Sequence, residues 1–214
     1  MDDEIIYKLS KKILNWFHQK WNTGINKYPW RNNKTTPYQI LIAEILLQHT
    51  TAKAIIDNLS YEKFINKFPD FHSLNNAKLE DIEEIFKPIG LYHQKATRLK
   101  KLANEICLKY NGKIPQNKKE LLSLPGIGEY IANAVLTFAF NKNEVPLDGN
   151  LKRICKNVWN INKKPEQIQI LKKLAELNPK KIYWALFDIG RFHCRKPKPL
   201  CKNCPFIDVC KNKI

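Results

Sequence analysis

Apolar residues recur at helical spacing along most of the chain, with proline, glycine and polar residues between the segments. Residues 4–22 carry one apolar face, formed by Ile5, Leu9, Ile13, Trp16 and Phe17. This spacing predicts an amphipathic helix that packs on a larger body. A second segment, from Pro37 to about Leu59, is apolar nearly all round and predicts a largely buried helix. Thr36 is a suitable N-cap for that helix.

The middle of the chain predicts three further helices. Two are short, at residues 61–68 and 78–86, and Pro69 and Ser73 supply turn chemistry between them. After Gly90, a longer helix has an inward face formed by Ala96, Leu99, Leu102, Ala103 and Ile106. Its other face carries Lys95, Arg98, Lys100 and Lys101. Such a row of charges is typical of a solvated helix face.

The rest of the chain predicts a helical hairpin followed by three more helices. The hairpin has one helix that ends at Ser123, a tight turn, and a second helix from Glu129 to Phe138. Further helices are predicted at residues 149–159, 166–177 and 179–190. Gly190 is interpreted as the end of the last one. Cys107 and Cys155 fall within helical patterns and are expected to be small buried side chains.

The turn of the hairpin reads Pro125-Gly126-Ile127-Gly128. Proline fixes its own φ, and the two glycines permit backbone angles that other residues resist. Successive N–H groups can therefore converge at the start of the following helix and form a phosphate site. An ordinary corner between two helices, with glycine after the first helix, is the alternative that the turn alone leaves open.

The chain of 214 residues is 43% hydrophobic, enough for a sizeable core, and carries a large excess of positive charge. There are 37 Lys and Arg against 20 Asp and Glu, a formal net charge of +17. This excess favours a polyanionic partner, although a lysine-rich soluble surface would give the same count. The first residues do not resemble a signal peptide, and no apolar run is long enough to span a bilayer. We therefore expect an intracellular protein without disulfides.

The turn at 124–128, the small apolar helix after it and Asp148 further along resemble the helix-hairpin-helix DNA glycosylase superfamily. That superfamily includes endonuclease III and the A·G-mismatch adenine glycosylase. The string YPWRNNKTTPYQILIAEILLQHTTA is similar to a segment of the adenine and thymine mismatch glycosylases. The resemblance covers nearly the whole chain, from about Trp30 to Cys210.

The resemblance implies an all-α fold of two helical lobes. One lobe, residues 30–142, would contain six helices and the helix-hairpin-helix. The other, residues 1–29 and 143–214, would contain an iron–sulfur cluster. A cleft between them would receive a base flipped out of double-stranded DNA, at a cost of a few kcal/mol that is smallest for a mismatched pair. A monomer is expected.

Asp148 is the residue that matches the catalytic aspartate of this family. Hydrolysis of an N-glycosidic bond builds oxocarbenium character on the sugar, which a nearby carboxylate stabilises while it orients or deprotonates water. Asp148 also precedes a helix, so an N-cap role would explain it as well. The two roles are compatible, because capping would hold the carboxylate ionised. Lys152 and Arg153, near the start of that helix, are expected to bind DNA.

Tyr130 lies where bifunctional members of the family carry a lysine that attacks the sugar as a Schiff-base nucleophile. A phenol cannot perform that reaction, so the resemblance implies a monofunctional enzyme with little or no lyase activity. Adenine enzymes usually have serine at this place and thymine-mismatch enzymes have tyrosine. Tyr130 therefore favours thymine or uracil opposite guanine, with an ordinary core aromatic as the alternative.

Glu44, Gln48 and His49 are the other residues that the resemblance assigns to the DNA site. A glutamate in the context of Glu44 lines the base pocket of the mismatch enzymes, although from the residues alone it would be expected on the wet side of its helix. Gln48 and His49 lie where the family inserts a side chain into the gap left by the flipped base. The family typically has Gln or Arg at the position of His49, and an ordinary exposed histidine remains an alternative. Gly126 and Gly128 would bind the DNA backbone.

Four of the six cysteines lie near the C-terminus, at Cys194, Cys201, Cys204 and Cys210. Four thiolates suit either zinc or an iron–sulfur cluster. Their spacing equals that of the 4Fe–4S cluster of endonuclease III, so the resemblance implies this cofactor. The basic residues between the cysteines would then form a loop that contacts phosphates.

Together these observations predict a monofunctional DNA glycosylase of base excision repair that removes thymine or uracil mispaired with guanine. The alternative within the family is an adenine glycosylase, which shares the string Leu147-Asp148-Gly149-Asn150 and also fits Gln48. Because the sequence continues only a few residues beyond Cys210, we do not expect the C-terminal domain with which many adenine enzymes read 8-oxoguanine, and this expectation favours the first prediction. A non-catalytic DNA-binding module is the alternative from another class, and the presence of both Asp148 and Glu44 argues against it.

Overall fold

A computed structural model of the protein describes residues 2–22, 28–32 and 34–213, with the backbone alone for residues 21 and 22. Twelve α-helices occur in this part of the chain: α1 Asp3–Asn22, α2 Pro37–Leu46, α3 Ala52–Asp57, α4 Ser60–Lys67, α5 Phe71–Asn76, α6 Leu79–Phe86, α7 Tyr92–Tyr110, α8 Lys118–Ser123, α9 Glu129–Phe138, α10 Gly149–Trp159, α11 Lys164–Ala175 and α12 Pro179–Phe192. The described residues contain no strand, and the predicted all-α class is confirmed. None of the described helices is long and apolar enough to cross a membrane.

Capping side chains determine where several helices begin. The Thr36 hydroxyl accepts from the Gln39 amide at 3.3 Å, which confirms the predicted N-cap of α2. The Gln39 side chain also accepts from the Thr36 amide at 3.0 Å, which completes a reciprocal capping box. A second capping box joins Asp70 and Ser73 and starts α5. This short helix was missed in the sequence, where Ser73 was interpreted as part of a turn.

Tyr28–Phe140 form one compact unit. In it α5 and α6 pack against α7, and α2 packs against α9. The predicted inward face of α7 is confirmed, because all five of its residues are fully buried: Ala96, Leu99, Leu102, Ala103 and Ile106. This core fixes the C-terminal end of α2 and the N-terminal end of α7. The candidate DNA-facing loops extend from these two helix ends.

The other compact unit combines α1 with the chain from Asn141 onward. Here α1 packs on α11 and α12, and α10 packs on α12. The apolar face of α1 is buried as predicted except at Ile5, which is 44% exposed, whereas Ile6 is 4% exposed. Ser10 also belongs to the buried face, and its hydroxyl donates to the Leu174 carbonyl at 2.8 Å. The buried face is therefore rotated around the helix axis relative to the predicted apolar face. A count of apolar residues alone cannot reveal that rotation.

Two expectations about small residues in helices are corrected. Gly190 does not end α12, which continues to Phe192. A Cβ at Gly190 would lie 2.7 Å from the Cβ of Asn150, so glycine is required there because α10 and α12 approach closely. Cys155 is fully buried as expected, but Cys107 is only partly buried.

Candidate active site and nucleic-acid interface

The predicted hairpin is formed by α8, a turn at residues 124–128, and α9. Leu124 and Ile127 are buried and anchor the turn in the core. Gly126 has a φ of +78°, in the left-handed region that favours glycine. The expectation that both glycines of the turn adopt backbone angles resisted by other residues is wrong for Gly128, whose φ is −97°. Gly128 is instead the exposed N-cap of α9, and a Cβ there would meet nothing within 4 Å, so no N-cap side chain stands in front of the first amides of α9.

The segment after α2 is a loop and not the middle of one long helix. The predicted helix from Pro37 to about Leu59 ends at Leu46 and resumes as α3 at Ala52. His49 adopts a left-handed backbone conformation with a φ of +56°, which is incompatible with a continuing helix. Its side chain is exposed. We call residues 47–51 the Gln48–His49 loop.

Two cationic side chains of α7 hold this loop. The Lys95 ammonium donates to the Gln48 carbonyl at 2.6 Å and to the Leu46 carbonyl at 3.2 Å, and the Arg98 guanidinium donates to the Gln48 side chain. The carbonyls at a helix C-terminus have no partner within the helix, so a cation stabilises this end of α2. Burial, followed by the charge of Arg98, lowers the pKa of Lys95.

The expectation of a solvated basic face on α7 is therefore wrong for two of its residues. Lys95 is only 5% exposed, for the reason just given. Lys100 is partly buried, and its ammonium donates to the carbonyls of Asn75 and Ala77, at the end of α5. Both lysines contact residues that are distant in sequence, whereas Lys101 is exposed as expected.

Glu44 lies on α2, four residues before Gln48, which follows the end of that helix. It is 6% exposed, so the interpretation that places it on the wet side of its helix is wrong. It lies in the last turn of α2, which leads directly into the Gln48–His49 loop. A buried carboxylate at this place is costly unless it has a partner or a function. Its role in binding a base stays a prediction.

Leu91 is a candidate that the sequence analysis missed. It precedes α7 with a φ of +52° and is 46% exposed. Its loop is adjacent to the Gln48–His49 loop, because the Thr50 hydroxyl donates to the Ile89 carbonyl at 3.3 Å. An exposed leucine in a strained conformation is uncommon. Gly90 before it is the only nearby sequence feature that indicates an unusual backbone.

Tyr130 is the second residue of α9 and is half-buried. It packs against the core of its unit, so the interpretation as a core aromatic is right in part. Its catalytic role remains a prediction.

Asp148 is the N-cap of α10, as predicted. Its carboxylate accepts from the Leu151 amide at 2.8 Å and from the Asn150 side chain at 2.8 Å. Burial raises its pKa, and these hydrogen bonds together with the charge of Arg153 lower it only in part, so the net pKa is above the ordinary value. The expectation that capping dominates its ionisation is thus corrected, because burial has the larger effect.

Arg153 ties α10 to its surroundings. Its guanidinium donates to the carbonyls of Cys194 and Gly190 and to the side chain of Asn150, the last at 2.6 Å. It therefore supports the start of α10, next to Asp148. Lys152 is exposed.

A basic groove of about 750 Å³ lies beside the start of α10. It is lined by cationic side chains from α10, α11 and the cysteine-containing tail: Lys152, Arg153, Lys156, Lys164, Arg195 and Lys196. This concentration of cationic side chains suits an anionic polymer.

The four tail cysteines are free thiols and only partly exposed. Burial is the main reason that the pKa of Cys204 is raised to about 11, and the thiols of Cys194, Cys210 and Cys201 add to the rise. The Asn157 amide donates to the Cys194 sulfur at 3.3 Å. Among the described residues, no three His, Cys, Asp or Glu side chains form a group that could hold a metal ion.

Cys194, Cys201, Cys204 and Cys210 are the residues that would hold a 4Fe–4S cluster, since such clusters are bound by cysteine thiolates. The four donors here are all sulfur atoms, and burial together with three of the thiols raises the pKa of the fourth, Cys204. A set of neighbouring thiols of this kind fits such a cluster. Asn157 would supply the N–H···S hydrogen bond that is characteristic of the surroundings of a cluster ligand.

The predicted site residues thus form two groups, one in each compact unit. Glu44, Gln48 and His49 lie together on α2 and its loop, and Arg98 connects Gln48 with the hairpin turn. In the other unit Asp148 lies close to Arg153, which contacts Cys194.

Comparisons with known proteins identify the family. Residues 42–180 match the model of the HhH-GPD superfamily base excision DNA repair protein. The chain is 33% identical to a thymine-DNA glycosylase of Aeropyrum pernix, over 98% of this chain and 96% of that protein. It is 36% identical to an adenine DNA glycosylase of Buchnera aphidicola, over 94% of this chain but only 57% of that protein.

A solved structure leads to the same family. The structure of a thermostable thymine-DNA glycosylase matches with a TM-score of 0.82 and 30% identity, over 96% of this chain and 97% of that one. The predicted resemblance is confirmed. The chain belongs to the HhH-GPD superfamily of base excision DNA repair proteins.

Proposed function

We propose that this protein is a monofunctional DNA glycosylase that removes thymine or uracil mispaired with guanine. The observation that carries the proposal is Asp148, a partly buried carboxylate fixed at the start of α10, in a chain similar over its full length to a thymine-DNA glycosylase. The substrate is double-stranded DNA with a mismatched or damaged base. The catalytic residues are Asp148, Glu44 and Tyr130.

Asp148 acts through its ionised carboxylate. As the bond between the base and the sugar lengthens, positive charge develops on the sugar, and a fixed carboxylate stabilises it without reorganisation. The same group accepts a proton from the attacking water. Its raised pKa makes it a better proton acceptor than an exposed aspartate. The product is an abasic site in an otherwise intact strand.

Glu44 and Tyr130 act on the base. Glu44 accepts hydrogen bonds from ring N–H groups of the base, which a carboxylate can do from a buried position. Tyr130 offers a phenol in place of an amine, so no covalent Schiff base forms and water is the nucleophile. We assign Glu44 and Tyr130 to the lobe of residues 30–142, and Asp148 and the cluster to the lobe of residues 1–29 and 143–214.

Two adjacent loops enter the duplex where the base leaves it. His49 and Leu91 are both exposed, both have a positive φ, and their loops are joined through Thr50 and Ile89. Leu91 fills space with an apolar side chain, while Gln48 and His49 offer hydrogen-bonding groups to the orphan base. Backbone strain of this kind persists where the surrounding structure enforces it, often at functional sites.

Phosphate contacts come from the hairpin and from the basic groove. The accessible amides at the start of α9, next to Gly126 and Gly128, bind one phosphate. Lys152 and the other cations of the basic groove bind the backbone elsewhere, with Arg153 holding α10 in place. Such contacts position the enzyme but do not read sequence.

The experiment that tests the proposal measures base release by the purified protein from duplexes with T·G, U·G, A·G, A·8-oxoguanine or no lesion, with and without alkali. We expect strand breakage at T·G and U·G only after alkali. Breakage without alkali would contradict the monofunctional assignment, and silence on all five duplexes would contradict the glycosylase assignment for these bases.

An adenine glycosylase is the second candidate. It is favoured by the 36% identity to an adenine DNA glycosylase and by Gln48. Against it, the chain has Tyr130 where adenine enzymes usually have serine. Release at A·G or A·8-oxoguanine in the same experiment would establish it.

We further propose that Cys194, Cys201, Cys204 and Cys210 hold a 4Fe–4S cluster. When bound, the cluster fixes the fold of the basic tail. The chain's own contribution is the four thiols, which lose their protons on binding, and the Asn157 amide next to Cys194.

Replacing Cys204 by Ser should therefore remove the cluster. Burial and the neighbouring thiols raise the pKa of Cys204, so its side chain lies inside the group of four thiols. We expect protein without stoichiometric iron and sulfide and without the visible absorbance of the cluster, and a lower melting temperature. Cys107→Ser, at a partly buried cysteine on α7, is the matched control and should keep full iron content. Zinc in the wild-type protein, with no sulfide, would contradict the assignment.

A further inference from the structure

Arg98 contacts both the hairpin turn and the Gln48–His49 loop. The aliphatic part of its side chain lies against Gly126, where a Cβ would be only 2.5 Å from Cδ and 2.7 Å from Cγ of Arg98. Its guanidinium donates to the Gln48 side-chain oxygen. Arg98 is the residue whose two ends meet a phosphate-binding turn and an insertion loop.

The contact with the loop is specific in its chemistry. Lys95 holds the backbone of Gln48, and Arg98 holds its side chain, so the two ends of this residue have separate cationic partners. Arg98 is half-buried, which makes a hydrogen bond to its charged group stronger than one in free solution. The Gln48 side-chain oxygen is thus occupied by Arg98, while its Nε2 group remains a potential donor.

The contact with the turn depends on glycine. Gly126 combines a positive φ with the absence of a side chain, so the backbone of the turn rests directly on the Arg98 stem. Beside this contact lies a groove of about 560 Å³, lined by Thr97, Arg98, Lys101, Pro125 and Gly126 among others. The hairpin turn is therefore in direct contact with the side chain that hydrogen-bonds to Gln48.

We propose that Arg98 is a positioning residue that couples phosphate binding by the hairpin turn to the conformation of the Gln48 side chain. This inference rests on the proposed function, in which Gln48 faces the orphan base. Arg98 itself need not contact the DNA. Phosphate binding at the turn orders the Gln48 side chain for insertion into the duplex. Base flipping is therefore favoured only when the turn holds the DNA backbone.

The test compares Arg98→Met with Lys101→Met. Both changes remove one cation from α7 beside the same groove, but Lys101 is exposed and lacks the contact with Gln48. For each variant we would measure duplex affinity, the single-turnover rate constant for thymine release, and the fluorescence of 2-aminopurine next to the mismatch. We expect equal losses of affinity, and a release rate about tenfold lower for Arg98→Met alone, because a hydrogen bond to a charged group is lost.

Rescue and coupling distinguish positioning from a general effect on folding. Arg98→Lys should recover part of the rate, and Gln48→Ala combined with Arg98→Met should be no slower than Gln48→Ala alone. Equal rates for Arg98→Met and Lys101→Met, or additive effects of the Gln48 and Arg98 changes, would overturn the inference. If the wild-type protein releases no base, the proposed function fails, while the 2-aminopurine signal still tests the coupling.

Discussion

Asp148→Asn should reduce the rate constant for thymine release from a T·G duplex by about 1,000-fold. The amide cannot carry the negative charge that stabilises the sugar cation, and it cannot accept a proton from water. It can still accept a hydrogen bond from the Leu151 amide, because asparagine is as good an N-cap as aspartate. The measurement is single-turnover base release with the strand broken by alkali, together with duplex affinity, which should be unchanged.

The same change should not destabilise the protein. Because burial raises the pKa of Asp148 in the folded state, the folded protein binds this proton more tightly than the unfolded chain does. The free energy of unfolding then falls as pH rises through the interval between the two pKa values. At neutral pH the ionised carboxylate is a cost, so the melting temperature of Asp148→Asn should equal or exceed that of the wild type.

Asp70→Asn is the matched control, since it alters another aspartate N-cap. Hydrogen bonds from Ser73 lower the pKa of Asp70, so its ionised form stabilises the fold above the unfolded pKa. We expect a slightly lower melting temperature for Asp70→Asn and unchanged base release. If instead Asp148→Asn lost stability and kept its rate, Asp148 would be a cap and nothing more.

The pH dependence of base release follows from the same carboxyl group. Activity requires the ionised form, so the rate rises with pH through the pKa of Asp148. Since burial places that pKa above the ordinary 3.8, the acid limb should lie at higher pH than it would for an exposed aspartate. Asp148→Asn should abolish this limb in the residual activity.

The helices, the hairpin turn and the cap at Asp148 could be predicted because their causes are local. The spacing of apolar residues places the inward face of α7, and Gly126 follows a proline in a turn that needs a positive φ. The N-cap of α10 needs only an aspartate before a helical segment. Each of these depends on residues within a few positions of each other.

The features that shape the candidate site have causes that are distant in sequence. The burial of Lys95 depends on carbonyls at residues 46 and 48, which belong to another helix. Nothing near His49 indicates a left-handed backbone, since the segment of residues 47–51 contains neither proline nor glycine. The left-handed conformation at His49 nevertheless breaks a helix that the apolar pattern would continue. Gly190 is needed for the approach of Asn150, which no pattern along α12 can indicate.

Tyr130→Lys should add strand cleavage that does not need alkali. An amine at the second position of α9 can attack the sugar carbon and form a Schiff base, with departure of the base, after which elimination breaks the strand. The accessible amides at the start of α9 disfavour a nearby cation, which lowers the pKa of the new lysine and increases its free-base fraction. The measurement is strand breakage without alkali and trapping of the covalent complex by borohydride.

Tyr130→Phe separates the hydroxyl from the aromatic ring. The ring packs against the core of residues 28–140, so phenylalanine preserves that contact while lysine does not. If Tyr130 only packs, Tyr130→Phe will keep the wild-type rate of base release and Tyr130→Lys will lose stability without any trapped complex. If Tyr130 lies at the reacting sugar, Tyr130→Lys will be trapped on T·G duplexes and not on matched ones, because an amine can attack only a sugar that is presented to it. That dependence on the mismatch would place the second residue of α9 in the active site.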